Sequence, residues 1–136
     1  MAYTNAQFRS ILNGLGFGYV PEGELTDPIS TDNNPLIDRV TRDAIEDFQK
    51  YFNLQVDGIA GAKTMAMAER QMRVLQAELN QVVGANLPKN QPFYGPRTIS
   101  AIKEFQRRYG FVPDGFAVLP VRQKLLAVSK PQGVTH

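Results

Sequence analysis

The sequence predicts an all-α protein: two tandem three-helix units that share a long central helix. Three observations carry this reading. Residues 44–58, AIEDFQKYFNLQVDG, return as residues 101–115, AIKEFQRRYGFVPDG, at a constant offset of 57. Apolar residues recur three and four positions apart through most of the chain, which is the period of an amphipathic helix. Gly and Pro gather between those periodic stretches, where they interrupt them. Aligning residues 33–60 with 90–117 gives ten identities in 28 positions, against about two expected from ordinary composition.

The elements follow in order. Thr4 and Gln7 have the spacing of a capping box, and Phe8, Ile11, Leu12 and Leu15 then share one helical face until Gly14 and Gly16 end it. From Phe17 to Pro35 the composition turns to Gly, Pro, Asp, Asn, Ser and Thr, a long loop. Asp38 is the expected N-cap of a second helix running to about Phe52, with Val40 or Thr41, Ala44, Ile45, Phe48 and Phe52 on its buried stripe. A loop around Asp57-Gly58 follows. Ala62 to Val83 holds no Gly or Pro and reads as one helix, about 33 Å long at 1.5 Å per residue. A loop containing Gly84, Pro88 and Pro92 leads to a fourth helix from Pro96 to Tyr109, with Ile102, Phe105 and Tyr109 inward. The last helix starts near Pro120 and turns Val121, Leu125 and Leu126 inward.

The first helices also match. Phe8, Leu12 and Asn13 align with Leu75, Leu79 and Asn80 at an offset of 67, so the long helix closes the first unit and opens the second. Units of this size bury little surface alone, and sharing a helix lends each some apolar area from the other. The expected division is residues 1–70, 71–130 and a flexible tail at 131–136.

Composition narrows the function. The chain has no cysteine and a single histidine, His136. Disulfides, thiolate zinc sites and histidine-based catalysis are thereby excluded. Adjacent acids such as Glu46 and Asp47 diverge by about 100° on a helix and do not flank one bond. No metal, cofactor or enzymatic activity is expected. The net charge of +2 is too small to mark a nucleic-acid binder, and the Lys103, Arg107 and Arg108 cluster reads as a solvated helix face. No run is long and apolar enough to insert in a membrane, and the first twenty residues do not read as a secretory signal.

The pattern G-x-x-T-x-x-A-[IV]-x-x-F-Q, an apolar residue, then D-G-x-x-G-x-x-T resembles the peptidoglycan-binding domain carried by bacterial and phage cell-wall hydrolases. The first copy supplies TRDAIEDFQKYFNLQVDGIAGAKT, residues 41–64, with Asp38 where the family has Gly. The second supplies FYGPRTISAIKEFQRRYGFVPDG, residues 93–115, and then departs, with Val118 and Val121 in place of Gly and Thr. The resemblance implies a three-helix fold and shallow ligand grooves near the Asp-Gly loops.

The candidate ligand-binding residues come from the matched motif and from aromatic and basic side chains near its loops. Gln49 either reaches a sugar or peptide or satisfies loop backbone, and Gln106 stands in the same position. Asp57, Gly58, Thr64 and Asp114 shape the turns and border the grooves. Gly61, like Gly95, lets a carboxylate approach a helix start closely. Tyr51, Tyr94 and Tyr109 offer a flat apolar body to a sugar face, and Lys63, Arg97 and Arg107 offer a cation to a peptide carboxylate. Two functions are expected from this set. One is non-catalytic binding of peptidoglycan, through glycan or stem peptide, at a cell wall, in a periplasm or in a phage lytic system. The other is a cytoplasmic adaptor that kept the fold and took a protein partner. The first groove, with the complete turn, is the stronger candidate.

Overall fold

The computed structural model describes residues 2–18 and 28–133. Within them lie five helices: α1 (Asn5–Gly14), α2 (Arg39–Tyr51), α3 (Ala62–Val83), α4 (Pro96–Arg108) and α5 (Leu119–Gly133). No strand occurs among the described residues. Helix α3 touches α1, α4 and α5, while α1 also packs on α2. The shared helix is therefore the axis of the molecule.

Local chemistry sets the helix starts. Thr4 accepts from the Gln7 N–H (3.1 Å) while the Gln7 side chain accepts from the Thr4 N–H (2.9 Å), closing the expected capping box. Asp38 caps α2 by accepting from the Thr41 N–H (3.1 Å) and hydroxyl (2.8 Å). Pro96 takes the first turn of α4, where its missing N–H costs no intrahelical bond. Gly84 ends α3 with φ +66, a left-handed conformation that favours glycine.

Each unit has its own aromatic core. Phe8, Phe48 and Phe52 meet under the first unit, with Phe48 and Phe52 ring centres 4.7 Å apart. Phe105 and Phe111 do the same in the second, but Tyr109, expected to face inward, is 38% exposed and only flanks Phe105 at the end of α4. Phe8, Phe48 and Phe105 are wholly buried, and each such ring contributes about 2–3 kcal/mol. On α2 the buried position is Thr41, while Val40 is exposed.

Two expectations at the C-terminal end need adjusting. Leu126 is 56% exposed, whereas Val121 and Leu125 are buried as expected. Helix α5 continues to Gly133, past the residue 131 start of the expected tail; residues 134–136 lie outside the described set, as does much of the long first loop.

Arg9 is a feature the sequence does not announce. Its buried guanidinium donates to the carbonyls of Asp32 (2.9 Å), Asn34 (2.6 Å) and Pro35 (3.0 Å), and to Asp38 Oδ1 (2.8 Å). One side chain thus ties the end of the long loop to the start of α2. Desolvation works against the Asp38 carboxylate, but hydrogen bonds from Thr41 and Arg9 outweigh it and hold its carboxyl below the usual range. At the matching position of the second unit, Gln76 donates to the Gln91 carbonyl (2.8 Å). The shorter second loop needs only an amide.

Candidate functional site

The first Asp-Gly loop is organised by one buried amide. Gln49 is 1% exposed. Its Nε2 donates to Asp57 Oδ1 (2.9 Å), the Ile59 carbonyl (3.0 Å) and Thr64 Oγ1 (3.1 Å). Its Oε1 accepts from the N–H groups of Asp57 and Gly58, both at 3.0 Å. Gly58 sits at φ +71, the left-handed conformation that lets the chain turn there. Asp57 also accepts from the Ile59 N–H (2.9 Å). That bond, followed by the one from Gln49, holds its carboxyl below the usual range, so an exposed carboxylate stays ionised at the loop tip.

The loop delivers the chain to the start of α3. Gly61 is the N-cap and no side chain caps the helix, unlike at α1 and α2. Its φ of −79 is open to any residue, and a Cβ there would meet no atom within 4 Å. Neither conformation nor packing therefore requires glycine at this position. What the missing side chain does is leave the first-turn N–H groups of α3 uncovered beside the exposed Lys63. Gln49, Asp57, Gly61, Lys63 and Thr64 share a hollow of about 220 Å³. A positive helix end with a nearby ammonium on one side and an ionised carboxylate on the other suits a polar ligand carrying a carboxylate.

The second loop repeats the frame and uses it differently. Gln106 donates to Asp114 Oδ1 (2.8 Å) and the Phe116 carbonyl (3.1 Å), and accepts from the Gly115 N–H (2.9 Å). Val121 stands where Thr64 would supply a third acceptor. Beyond the turn, the Ala117 N–H donates to the Gly14 carbonyl (2.7 Å), and Arg122 Nη2 donates to the Leu15 carbonyl (3.1 Å). Val118 lies against Gly16. The segment that departs from the repeat pattern is therefore the joint between the two units, which gives its apolar replacements a physical reason.

Tyr94 belongs to that joint, which corrects its expected place at a sugar face. It is 2% exposed, donates to the Gly115 carbonyl (2.7 Å) and accepts from the Ala117 N–H (3.0 Å). Burial pushes its hydroxyl above the usual phenol range. A Cβ at Gly14 would collide with its ring.

The remaining candidates are dispersed. Gln49 and Thr64 are buried with their polar atoms bonded inside the loop and frame the hollow from within, while Gly58 is buried and does not line it. Tyr51 lies away from the hollow, in a cleft between the units, with Arg122 over its ring at 5.5 Å. Arg97 donates to the Asn86 carbonyl (2.9 Å) and borders an open depression of about 400 Å³ between the end of α3 and α4. Arg107 pairs with Glu104 at 3.7 Å on the outer face of α4. Tyr109 lies tilted against Phe105 and carries Lys124 over its ring at 5.5 Å. Asp114 is exposed at the tip of the second loop. Sequence periodicity groups residues by helix face, and it has no access to which loop ends meet. Among the described residues there is no cluster of metal-ligating side chains and no helix long and apolar enough to cross a membrane.

A model of the family described as "Putative peptidoglycan binding domain" matches the chain twice, over residues 6–67 and 69–117. The two matches meet inside α3, where the shared helix passes from one unit to the next. No curated protein and no solved structure matches the chain.

Proposed function

This chain belongs to the peptidoglycan-binding domain family, and we propose on that ground that it is a non-catalytic binder of cell-wall peptidoglycan working through its first unit. The ligand is a stem-peptide carboxylate seated at the start of α3, with neighbouring amide or hydroxyl donors turned to Asp57. The observation that carries this reading is the complete turn after Asp57-Gly58, whose Gly61 leaves the helix start uncovered above a hollow of about 220 Å³. Anions are favoured there by the helix dipole and by the N–H groups of the first turn. The second loop is engaged with α1, and it serves as the joint that presents the first.

Sedimentation with purified sacculi tests this. The folded protein is expected in the pellet, and Lys63→Glu is expected to move much of it to the supernatant, because the reversed charge repels the carboxylate. A wild-type protein that stays in the supernatant at low and moderate salt removes the wall-binding reading. Binding that Lys63→Glu leaves unchanged removes the groove assignment while keeping the ligand.

A further inference from the structure

A second surface lies in the cleft between the two units, away from the Asp-Gly hollow. Helix α3 presents Gln71, Val74, Leu75 and Glu78 to it, spaced three, one and three apart. Helix α5 presents Leu119, Arg122, Gln123 and Leu126 with the same spacing. Each set is one helical face, so the two helices form the walls of a groove of about 210 Å³ that Leu15, Tyr51 and Phe52 also line. Tyr51, Val74, Leu119 and Leu126 are all among the exposed large apolar residues of the described chain, and here they converge.

Glu78 is the anomaly in this groove. Its counterpart in the first unit, 67 residues earlier, is the fully buried Ile11. A carboxylate therefore occupies a position that the fold fills with a core side chain, and a broken local rule of this kind marks a site with another use. Among the described residues no cation pairs with it, and burial pushes its carboxyl up to about 7, with only a partial offset from nearby Ser129, whose hydroxyl donates to the Leu126 carbonyl. Arg122, the cation in the same groove, is committed elsewhere. It donates to the Ala117 and Leu15 carbonyls and lies over the Phe17 and Tyr51 rings.

We propose that the groove between α3 and α5 docks an amphipathic helix of a partner protein, which lays an apolar face along the two walls and sets a lysine or arginine against Glu78. The parallel three-and-four stripes fit a helix laid between two others. The apolar walls are a poor match for a glycan, and the unpaired carboxylate selects a cation over an anion. This site is independent of the hollow at the Asp-Gly loop and stands whether or not the wall is its ligand.

Fluorescence anisotropy on the full chain tests the proposal. The probes are two labelled, end-capped model helices with leucines at i, i+3, i+4 and i+7, differing only in a lysine or a glutamate flanking the leucine face. The lysine peptide is expected to bind at least about ten-fold more tightly. Glu78→Gln should erase that preference and Glu78→Lys should reverse it. Leu126→Asp, at an exposed position, should abolish binding of both peptides while circular dichroism shows the fold retained. Equal binding of the two peptides, a preference that survives Glu78→Gln, or binding that survives Leu126→Asp overturns the proposal. So does sedimentation equilibrium showing a dimer that Leu126→Asp dissociates, because the occupant is then a second copy of this chain.

Discussion

At Gln49 and Gln106 a single amide replaces the water that would otherwise solvate a tight loop, and its position on the helix face fixes where the loop must pass. Recurrence of a residue in both copies therefore reports a structural need shared by both turns. The residues that distinguish the copies carry the functional information. Gly61 is the plainest case, since its φ of −79 and the open space around it impose no requirement for glycine. Gly61→Ser is expected to cap α3 and raise stability by a few tenths of a kcal/mol. It should at the same time weaken sedimentation with sacculi, because the serine hydroxyl occupies the N–H groups offered to a carboxylate. Urea unfolding and the pelleting assay read the two effects separately, and equal binding by the variant would exclude the helix start as the contact.

Among the elements, α3 carries two roles in its 22 residues. Its buried face runs without a break through Ala68, Met72, Leu75 and Leu79, so one periodic stripe serves both cores. Glu78 lies beside that stripe and lines the groove together with Arg122 from α5 and Tyr51 from α2. Burial raises its folded-state pKa from the ordinary carboxyl value of 4.5 to about 7. The folded protein thus holds this proton more tightly than the unfolded chain, and stability falls as pH rises from about 4.5 to about 7. Above that window the penalty stays constant. Glu78→Gln is expected to be more stable than the parent by about 1 kcal/mol at pH 8, a figure reduced for partial solvent exposure, and about equal to it at pH 4. Chemical denaturation at the two pH values measures this; an equal gain at both would place the effect in packing instead of ionisation.

For the whole molecule, the two units are joined by more than a common helix. The Ala117–Gly14 and Arg122–Leu15 hydrogen bonds cross between them, and Tyr94 packs on Gly14. Neither unit has a complete core once α3 is divided, so the protein is expected to unfold in one cooperative transition. In differential scanning calorimetry the van't Hoff and calorimetric enthalpies should agree. Two resolved transitions would show that the joint contributes little.

The helices, their caps, the repeat and the family are legible in the sequence. These depend on contacts between residues close in the chain, and periodicity, capping boxes and Asp-Gly turns record such contacts directly. The sequence also located the complete first turn, because Gly61 and Thr64 stand at fixed distances from Asp57. Tertiary structure decided what those residues face. Tyr94 has an amphipathic side chain suited either to a sugar or to a buried joint, and only the approach of Gly14, eighty positions away, makes it the joint. Arg9 resembles an ordinary polar interruption until the loop carbonyls close around it. Tyr51 and Glu78 are helix positions with no distinguishing local pattern, and the groove that unites them exists because α5 folds back along α3. Local sequence encodes elements through short-range periodicity; a surface made from residues of different elements depends on packing that no local pattern carries.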